Sequence, residues 1–302
     1  MNKGFLYAVA AYIMWGLLPI YWKLFTQVGS GEILSHRIIW SVVFVLLLVT
    51  FTSRWGRLKQ AVPDKRSKWA VTLASLLISL NWLIYIWAVN NNHIVEASLG
   101  YYINPLVNVF LGVFFLKESL SKWQWISIGL AALGVLIMTV SYGHFPWVSI
   151  TLALSFGLYG LTKKKVQVDT IVGLSLETVI VLPFALLYLL IFEHGGDALT
   201  VLSGWKIAAL TLAGIATASP LLFFAEGVKR LPLSMIGFVQ YLSPTITLIL
   251  GVWMYHEAFT TVDAICFGLI WSALILYTAQ ILGKSRKKRN GLGKEAVATS
   301  SR

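Results

Sequence analysis

Apolar runs of about 20 residues, separated by short polar segments, follow one another along almost the whole chain. A helix needs about 20 mostly apolar residues to cross the hydrocarbon core of a bilayer, so each run predicts one transmembrane helix. The ten predicted spans cover residues 4–23, 33–52, 69–89, 95–116, 124–142, 146–162, 171–192, 205–227, 233–255 and 263–283. The pattern therefore indicates an all-α integral membrane protein. Residues 284–302 are basic and polar, and they are predicted to form a disordered tail.

The composition agrees with a lipid environment, and the position of the charges predicts the orientation. Hydrophobic residues make up 58% of the chain and charged residues only 12%, against about 25% charged in a soluble domain. A net charge of +12 would suggest nucleic acid binding in a soluble protein. Here, however, 21 of the 24 Lys and Arg residues fall in alternate loops, as cytoplasmic loops do in membrane proteins. Both termini are therefore predicted to be cytoplasmic, and nucleic acid is excluded as a partner.

One motif occurs twice. The pattern Tyr-x2-Pro-x5-Leu-Gly-Val-x4-Glu begins at Tyr102 and again at Tyr241, with no change in its internal spacing. The two halves, residues 4–142 and 146–283, each contain five predicted spans. Because five is an odd number, the second half must enter the membrane from the opposite side. This is an inverted repeat, which is typical of secondary transporters that work by alternating access.

The repeated motif contains a proline near the middle of a span in each half, Pro105 and Pro244. Proline removes a backbone hydrogen bond and kinks or breaks a helix. Corresponding helix interruptions in two inverted halves indicate a transport site. We therefore predict helix breaks at both prolines, although a harmless kink is the alternative for either one.

Polar and aromatic side chains surround these prolines and lie in neighbouring spans. Uncharged hydrogen-bonding groups mixed with aromatic rings suit a neutral, zwitterionic or aromatic-bearing solute. The predicted substrate contacts of this kind are Trp15, Asn81, Trp82, Tyr102, Asn104, Gln240 and Tyr241. The alternative for each amide is a hydrogen bond between helices.

Two charged residues lie within spans, where burial of a charge is costly and commonly marks function. Arg37 lies in the second span and Glu177 in the seventh. Each follows a Leu-Ser-x sequence, so the two charges occupy equivalent positions of the two halves. They are predicted to contact charged groups of the solute or to gate the two openings. The alternatives are local pairing and extension of the side chain to the interface. Proton coupling through Glu177 and downhill facilitated movement both remain open.

The repeated motif ends in Glu118 and Glu257, each just before a predicted helix. Ser121-x-x-Gln124 and Thr260-x-x-Asp263 follow them and resemble capping boxes. Each Glu is therefore predicted to be a structural cap, favoured by the helix dipole.

Motifs for enzymes and cofactors are missing. The chain has one cysteine and lacks the GxxxxGK[ST] and HExxH patterns, so we expect no catalytic residue, no metal and no cofactor.

These residues resemble a known family. Trp15-Gly16-x2-Pro19-x3-Lys23 and the duplicated motif are similar to the EamA domain repeat of the drug/metabolite transporter superfamily. The run from Ala97 to Pro105, Ala-Ser-Leu-Gly-Tyr-Tyr-Ile-Asn-Pro, resembles its RarD-like branch. The resemblance covers residues 4–283 and implies two inverted five-helix halves. It also implies a central cavity lined mainly by spans one to four and six to nine.

The sequence thus predicts a multi-pass transporter of a bacterial inner membrane, which exports small metabolites or amphipathic drugs by alternating access, in a secondary active or facilitative manner. Its expected partners are a small-molecule substrate and the lipid bilayer. A solute channel and a non-transporting scaffold or receptor are the alternatives. Gly129 and Gly268 permit close contact between helices, within one chain or in a homodimer.

Overall fold

The computed structural model describes residues 3–61, 65–90, 93–143, 145–165, 168–192, 198–256 and 259–300. Within these ranges the ordered elements are helices, and no strand occurs among them. The α-helices are α1 Lys3–Trp22, α2 Ser30–Phe51, α3 Trp55–Ala61, α4 Lys65–Asn90, α5 Ile94–Leu116, α6 Lys122–Tyr142, α7 Trp147–Lys165, α8 Thr170–Phe192, α9 Ala198–Val201, α10 Gly204–Arg230, α11 Leu233–Gln240, α12 Leu242–Ile249 and α13 Thr261–Ser300. A 3₁₀ helix, Lys23–Phe25, extends α1, and a π-helix, Leu250–Met254, extends α12.

Nine helical segments in the described part of the chain are long and apolar enough to cross a membrane. They correspond to the predicted spans except the sixth. That span is α7, whose hydropathy falls because it ends in Lys163, Lys164 and Lys165. An all-α membrane protein is therefore confirmed, whereas the count of ten spans stays a prediction.

The last helix is longer than the sequence pattern predicts. α13 continues from the apolar segment through the basic residues to Ser300, where we expected a disordered tail over residues 284–302. Lys and Arg, which supply seven of residues 284–302, are good helix formers. The difference arises because an apolar span provides a ready-made helix that such residues can extend.

The chain forms two compact units that run across the predicted halves. One unit comprises Met1–Leu116 and Pro146–Glu257, and it contains α1–α5 and α7–α12. Within it α5 packs on α7, α1 on α10, and α2 on both α8 and α10. These helices include the eight spans that the family resemblance places around a cavity. The division into sequence repeats at 4–142 and 146–283 stays a prediction.

The second unit, Lys117–Phe145 and Ala258–Arg302, contains α6 packed on α13. The close approach of these helices is at Gly134, where an added Cβ would lie 3.0 Å from the carbonyl oxygen of Cys266. Gly129 and Gly268, which we expected to permit such contact, have no described atom within 4 Å of their Cβ positions.

Two capping boxes begin the helices of this unit, as predicted. The amide of Ser121 donates to Gln124 Oε1 at 2.9 Å, and the amide of Gln124 donates back to Ser121 Oγ. Thr260 and Asp263 bond reciprocally in the same way at α13. Glu118 lies before α6, and its role as a cap stays a prediction. Glu257 lies outside the described residues.

Equivalent residues of the two halves make equivalent contacts in the first unit. A Cβ added to Gly16 in α1 would lie 2.8 Å from the Cβ of Ile246 in α12. A Cβ added to Gly157 in α7 would lie 2.7 Å from Cγ1 of Val107 in α5. Val107 and Ile246 are themselves equivalent, since each stands at the second position after the proline of the repeated motif. The packing of α1 on α12 therefore repeats that of α7 on α5, with a glycine at each crossing.

Candidate translocation site

The amide side chains predicted around the prolines bond to one another and to backbone between α5, α7 and α11. Asn104 donates to the carbonyl of Ala153 at 2.6 Å. Asn108 donates to Asn104 Oδ1 at 3.0 Å and to Gln240 Oε1 at 2.8 Å. Asn104 and Gln240 are 2% and 5% exposed. In these positions they join helices, which is the alternative that the sequence left open.

The other polar residues of the set also connect helices. The hydroxyl of Tyr241 donates to the carbonyl of Tyr102 at 3.3 Å, so equivalent residues of the two halves touch. Asn81 in α4 donates to Leu152 O and Ser155 Oγ in α7, both at 2.9 Å. These bonds satisfy polar groups that have no water to bond to inside a bilayer.

The two prolines behave differently. Pro244 has no N–H to bond the carbonyl of Gln240, and the helix is interrupted at Tyr241, between α11 and α12. Pro105 lies inside α5, which is a continuous helix, so the predicted break is absent there. A Cβ on Gly237 would lie 2.5 Å from the carbonyl oxygen of Pro105. α11 therefore packs closely against the backbone of α5 at Pro105.

Trp15 lies in an aromatic cluster where α1, α7 and α10 meet. Its ring is 5.6 Å from that of Phe156 and 5.6 Å from that of Phe224, centroid to centroid. Tyr12 and Tyr159 complete the cluster. Trp15 therefore packs chiefly against aromatic side chains.

Glu177 is buried in α8 and bonds to two residues of α7. Lys163 Nζ lies 2.5 Å from Glu177 Oε1, and the Tyr159 hydroxyl donates to Oε2 at 3.1 Å. The side chains of Lys163 and Glu177 are 7% and 3% exposed. Sequence reasoning missed Lys163 because it looked like one of three loop lysines. Its spacing of four from Tyr159 on one helix face is the signal that could have found it.

Two small crevices meet at Glu177. One lies at the basic end of the unit and is lined by Lys163 and Lys229 together with Asp169 and Thr170. The other is apolar and is lined by Ile78, Trp82, Tyr159, Leu174, Thr178, Val181 and Leu221. Each has a volume of about 10 Å³, close to the minimum for one water molecule. A solute can therefore pass through either crevice only when helices move apart.

Arg37 lies beyond Trp82, toward the end of the unit opposite Lys163. Its Nε donates to Thr217 Oγ1 in α10 at 3.0 Å. The guanidinium carbon is 4.5 Å from the ring centroid of Trp22 and 5.9 Å from that of Trp82. Among the described side chains Arg37 has no carboxylate partner. Of the predicted site residues, Trp82 and Glu177 line one crevice, and Arg37 lies beside Trp82.

The basic end is closed by a network of polar contacts. Asp169, between α7 and α8, accepts from Arg54 at 2.6 Å and from Arg57 at 3.0 Å. Partial burial raises the pKa of the Asp169 carboxyl, but hydrogen bonds from Arg54, the Val172 amide and Arg57 outweigh it, so this pKa lies below its ordinary value. Lys229 Nζ donates to Thr170 Oγ1 at 2.8 Å. These contacts tie the segment between α7 and α8 to the segment after α2 and to α10.

Glu32, at the start of α2, is a further buried group that the sequence did not single out. It is 1% exposed, accepts from the amide of Ala198 at 2.8 Å, and lies 3.8 Å from His36 Nε2. The sequence did not predict this burial, because Glu32 follows a polar loop.

Known proteins resemble this chain over nearly its whole length. The model of the EamA-like transporter family matches residues 2–140 and 146–279. The uncharacterized transporter YojE of Bacillus subtilis (strain 168) is 48% identical over 95% of this chain and 97% of that protein. Protein RarD of Escherichia coli (strain K12) is 40% identical over 95% and 97%. The chloramphenicol-sensitive protein RarD of Pseudomonas aeruginosa is 30% identical over 95% and 98%.

A solved structure titled "Crystal structure of protein" shares the fold with a TM-score of 0.71, at 18% identity, over 92% of this chain and 97% of that one. The apolar helices and these relatives together identify a multi-pass transporter of the bacterial inner membrane. The chain belongs to the EamA-like transporter family, and within it to the RarD-like proteins.

Proposed function

We propose that the protein is a secondary active or facilitative transporter, which exports small metabolites or amphipathic drugs by alternating access. One observation carries this proposal. Two charges of opposite sign, Arg37 and Glu177, lie at equivalent positions of the two halves. Glu177 lines the crevice at Trp82, and Arg37 lies beside the Trp82 ring. Charged side chains within spans are expensive and commonly mark a solute pathway.

The membrane topology in this proposal has ten spans in two inverted halves, with both termini in the cytoplasm. α7 is counted as a span despite its three terminal lysines, because it packs between α4, α5 and α10 and holds the Glu177 pair. The matched crossings at Gly16 and Gly157 support a two-fold relation between the halves. The basic loops support the cytoplasmic side for the end that carries Lys163.

Transport then requires two alternating openings. On the cytoplasmic side, the contacts of Asp169 with Arg54 and of Glu177 with Lys163 must separate before a solute enters. On the other side, Arg37 must part from Thr217 for the solute to leave. Packed helices switch between discrete arrangements. We therefore expect rigid groups of helices to rock, so that the contacts on one side of the membrane break while those on the other side stay intact.

Energy coupling through Glu177 is part of the same proposal. A proton on Glu177 would neutralise the carboxylate and weaken its attraction to Lys163, which lies 2.5 Å away. Downhill facilitated export is the alternative, and it needs no titrating group.

The proposal is tested with purified protein in lipid vesicles. Metabolites enriched in medium from overexpressing cells, relative to deletion cells, supply the candidate solutes. Saturable uptake with counterflow is expected for a transporter, whereas non-saturating flux would indicate a channel and no flux a scaffold. Glu177→Gln should abolish dependence on a pH gradient, while Glu118→Gln, outside both crevices, should not. Unchanged gradient dependence in Glu177→Gln would exclude proton coupling through this residue.

A further inference from the structure

We propose that the Arg37 site binds a carboxylate of the transported solute, whose apolar or aromatic body extends along the crevice at Trp82. This inference rests on the proposed function, because it names the substrate class for the same route.

Beside Trp82, Arg37 is a positive charge without a carboxylate partner among the described side chains. Glu177 is neutralised by Lys163 at 2.5 Å and also accepts from Tyr159. Arg37 has one neutral hydrogen-bond partner, Thr217, and no carboxylate partner among the described side chains. A charge in a membrane span is costly to keep unless it is paired or used. The solute itself can supply the missing negative charge.

The repeat makes the asymmetry clear. Lys163 follows Gly157 in α7 by the same spacing with which Trp22 follows Gly16 in α1, so Lys163 and Trp22 correspond. In the second half Glu177 faces Lys163, whose charge has the opposite sign. In the first half Arg37 faces the ring of Trp22 at 4.5 Å instead. The first half therefore has a cation against an aromatic face where the second half has an ion pair.

The geometry of Arg37 suits a carboxylate. Thr217 engages Nε, which leaves the two Nη groups without a described hydrogen-bond partner. A guanidinium presents its donors as a planar fork, and two parallel N–H groups match the two oxygens of a carboxylate. Tyr85, Tyr101 and Tyr21 lie near Arg37, and the rings of Tyr85 and Tyr101 pack edge to face at 6.3 Å. Their hydroxyl groups are neutral, so the site has one charge to match.

The remaining chemistry of the crevice narrows the class of solute. Past Trp82 most of the crevice wall is apolar, formed by Ile78, Leu174, Val181 and Leu221, and the remaining lining residues are Tyr159, Thr178 and the paired Glu177. A bare inorganic anion would leave these side chains without a contact, and a cation would be repelled by Arg37. A phosphate monoester carries nearly two charges near pH 7, more than one guanidinium balances. A monocarboxylate on an apolar body matches both the charge and the walls.

Binding to the purified full-length protein in detergent tests this assignment. The probes each carry a phenyl group and differ chiefly in the head group: 3-phenylpropionate, 3-phenylpropionamide, 3-phenylpropylamine and phenyl phosphate. Indole-3-acetate and octanoate extend the carboxylate set. Ligands that bind the folded state raise the melting temperature in a concentration-dependent way. We expect at least one carboxylate to do so, with an affinity at least tenfold above that of the amide and amine.

Variants connect this selectivity to Arg37. Arg37→Gln should lower carboxylate affinity by about 30-fold or more, as for truncation of a buried charge pair. Arg37→Lys keeps the charge but not the fork, so its loss should be smaller. Lys23→Gln is the matched control. It removes a cation at the same end, packed 3.1 Å over the Tyr255 ring, and should leave carboxylate affinity within about twofold.

Several results would overturn the assignment of a carboxylate site at Arg37. The assignment fails if no carboxylate stabilises the protein, if the amide or amine binds as tightly, or if phenyl phosphate binds more tightly. It also fails if Arg37→Gln and Arg37→Lys, both monodisperse by size exclusion, keep full carboxylate affinity.

Flux in vesicles separates this inference from the proposed function. Carboxylate binding through Arg37 without flux would overturn only the transport proposal, and saturable flux that does not require Arg37 would overturn only the carboxylate site.

Discussion

The buried pair of Lys163 and Glu177 permits a quantitative test of how the helices are held together. The two side chains are 7% and 3% exposed and lie 2.5 Å apart. Removing one partner of a buried pair leaves an uncompensated charge and typically costs about 3–5 kcal/mol. We therefore expect Lys163→Met to reduce the free energy of unfolding by this amount, with a similar loss for Glu177→Gln.

The double variant separates the pair from its two members. With both charges gone, the desolvation cost of each charge disappears as well, and apolar replacement of a buried pair is commonly close to neutral. Glu177→Gln is preferable to an apolar change, because the new amide oxygen can still accept the hydrogen bond from Tyr159. We expect the double variant to lose less than either single variant does.

The assay is reversible unfolding in mixed detergent micelles, followed by circular dichroism. The interaction energy is the loss in the double variant minus the sum of the single losses. Lys165→Met, an exposed position further along α7, is the matched control and should change stability by no more than about 0.5 kcal/mol. If the single losses are additive to within about 0.5 kcal/mol, the pair does not act as a unit and the reasoning is refuted.

Three further predictions concern the fold. Gly214→Ala should destabilise the protein by about 1–3 kcal/mol or more, since its Cβ would overlap the backbone carbonyl of Trp40 in α2; Gly129→Ala, with open space around it, should be neutral or stabilising in the same unfolding assay. The lowered pKa of Asp169 means that its contribution to stability is present above the unfolded pKa, near 3.9, and is lost as pH falls through the folded pKa. Asp169→Asn should therefore flatten stability against pH below about 5, and an unchanged profile would contradict this assignment. Ser121→Ala should cost about 0.5–2 kcal/mol by loss of the cap, measured by thermal unfolding, and no loss would show that the box is dispensable.

The sequence predicted the spans well because lipid imposes a simple rule on them. A segment that crosses the hydrocarbon core must be long, apolar and helical, and each condition is visible in the residues. α7 is the span that was harder to predict. Lys163 is buried in it, but a lysine at the end of an apolar run is expected to belong to the following loop. The capping boxes at Ser121 and Thr260 were also predictable, since they depend on neighbours three residues away.

The candidate site was predictable only in part. Arg37 and Glu177 could be singled out because charge within a span is conspicuous, and Trp82 because it lies among polar and aromatic neighbours in the pattern. Asn104 and Gln240 looked equally suited to a solute, yet they bond to other helices. A polar group in lipid needs a partner, and the residue type does not say whether that partner is a solute or a helix.

The amino-acid sequence by itself determined that this chain is a helical membrane protein. It also showed an internal duplication and a concentration of Lys and Arg in alternate loops. Those properties depend on composition, on local spacing and on one repeated motif. Only the tertiary structure decided that Glu177 is paired with a charge of opposite sign whereas Arg37 meets a neutral hydroxyl. Pairing depends on which residues of distant helices come within a few ångströms, Lys163 in one case and Thr217 in the other. Because electrostatic energy in a low-dielectric interior changes steeply over such distances, the three-dimensional packing distinguishes two charges that occupy equivalent places in the sequence.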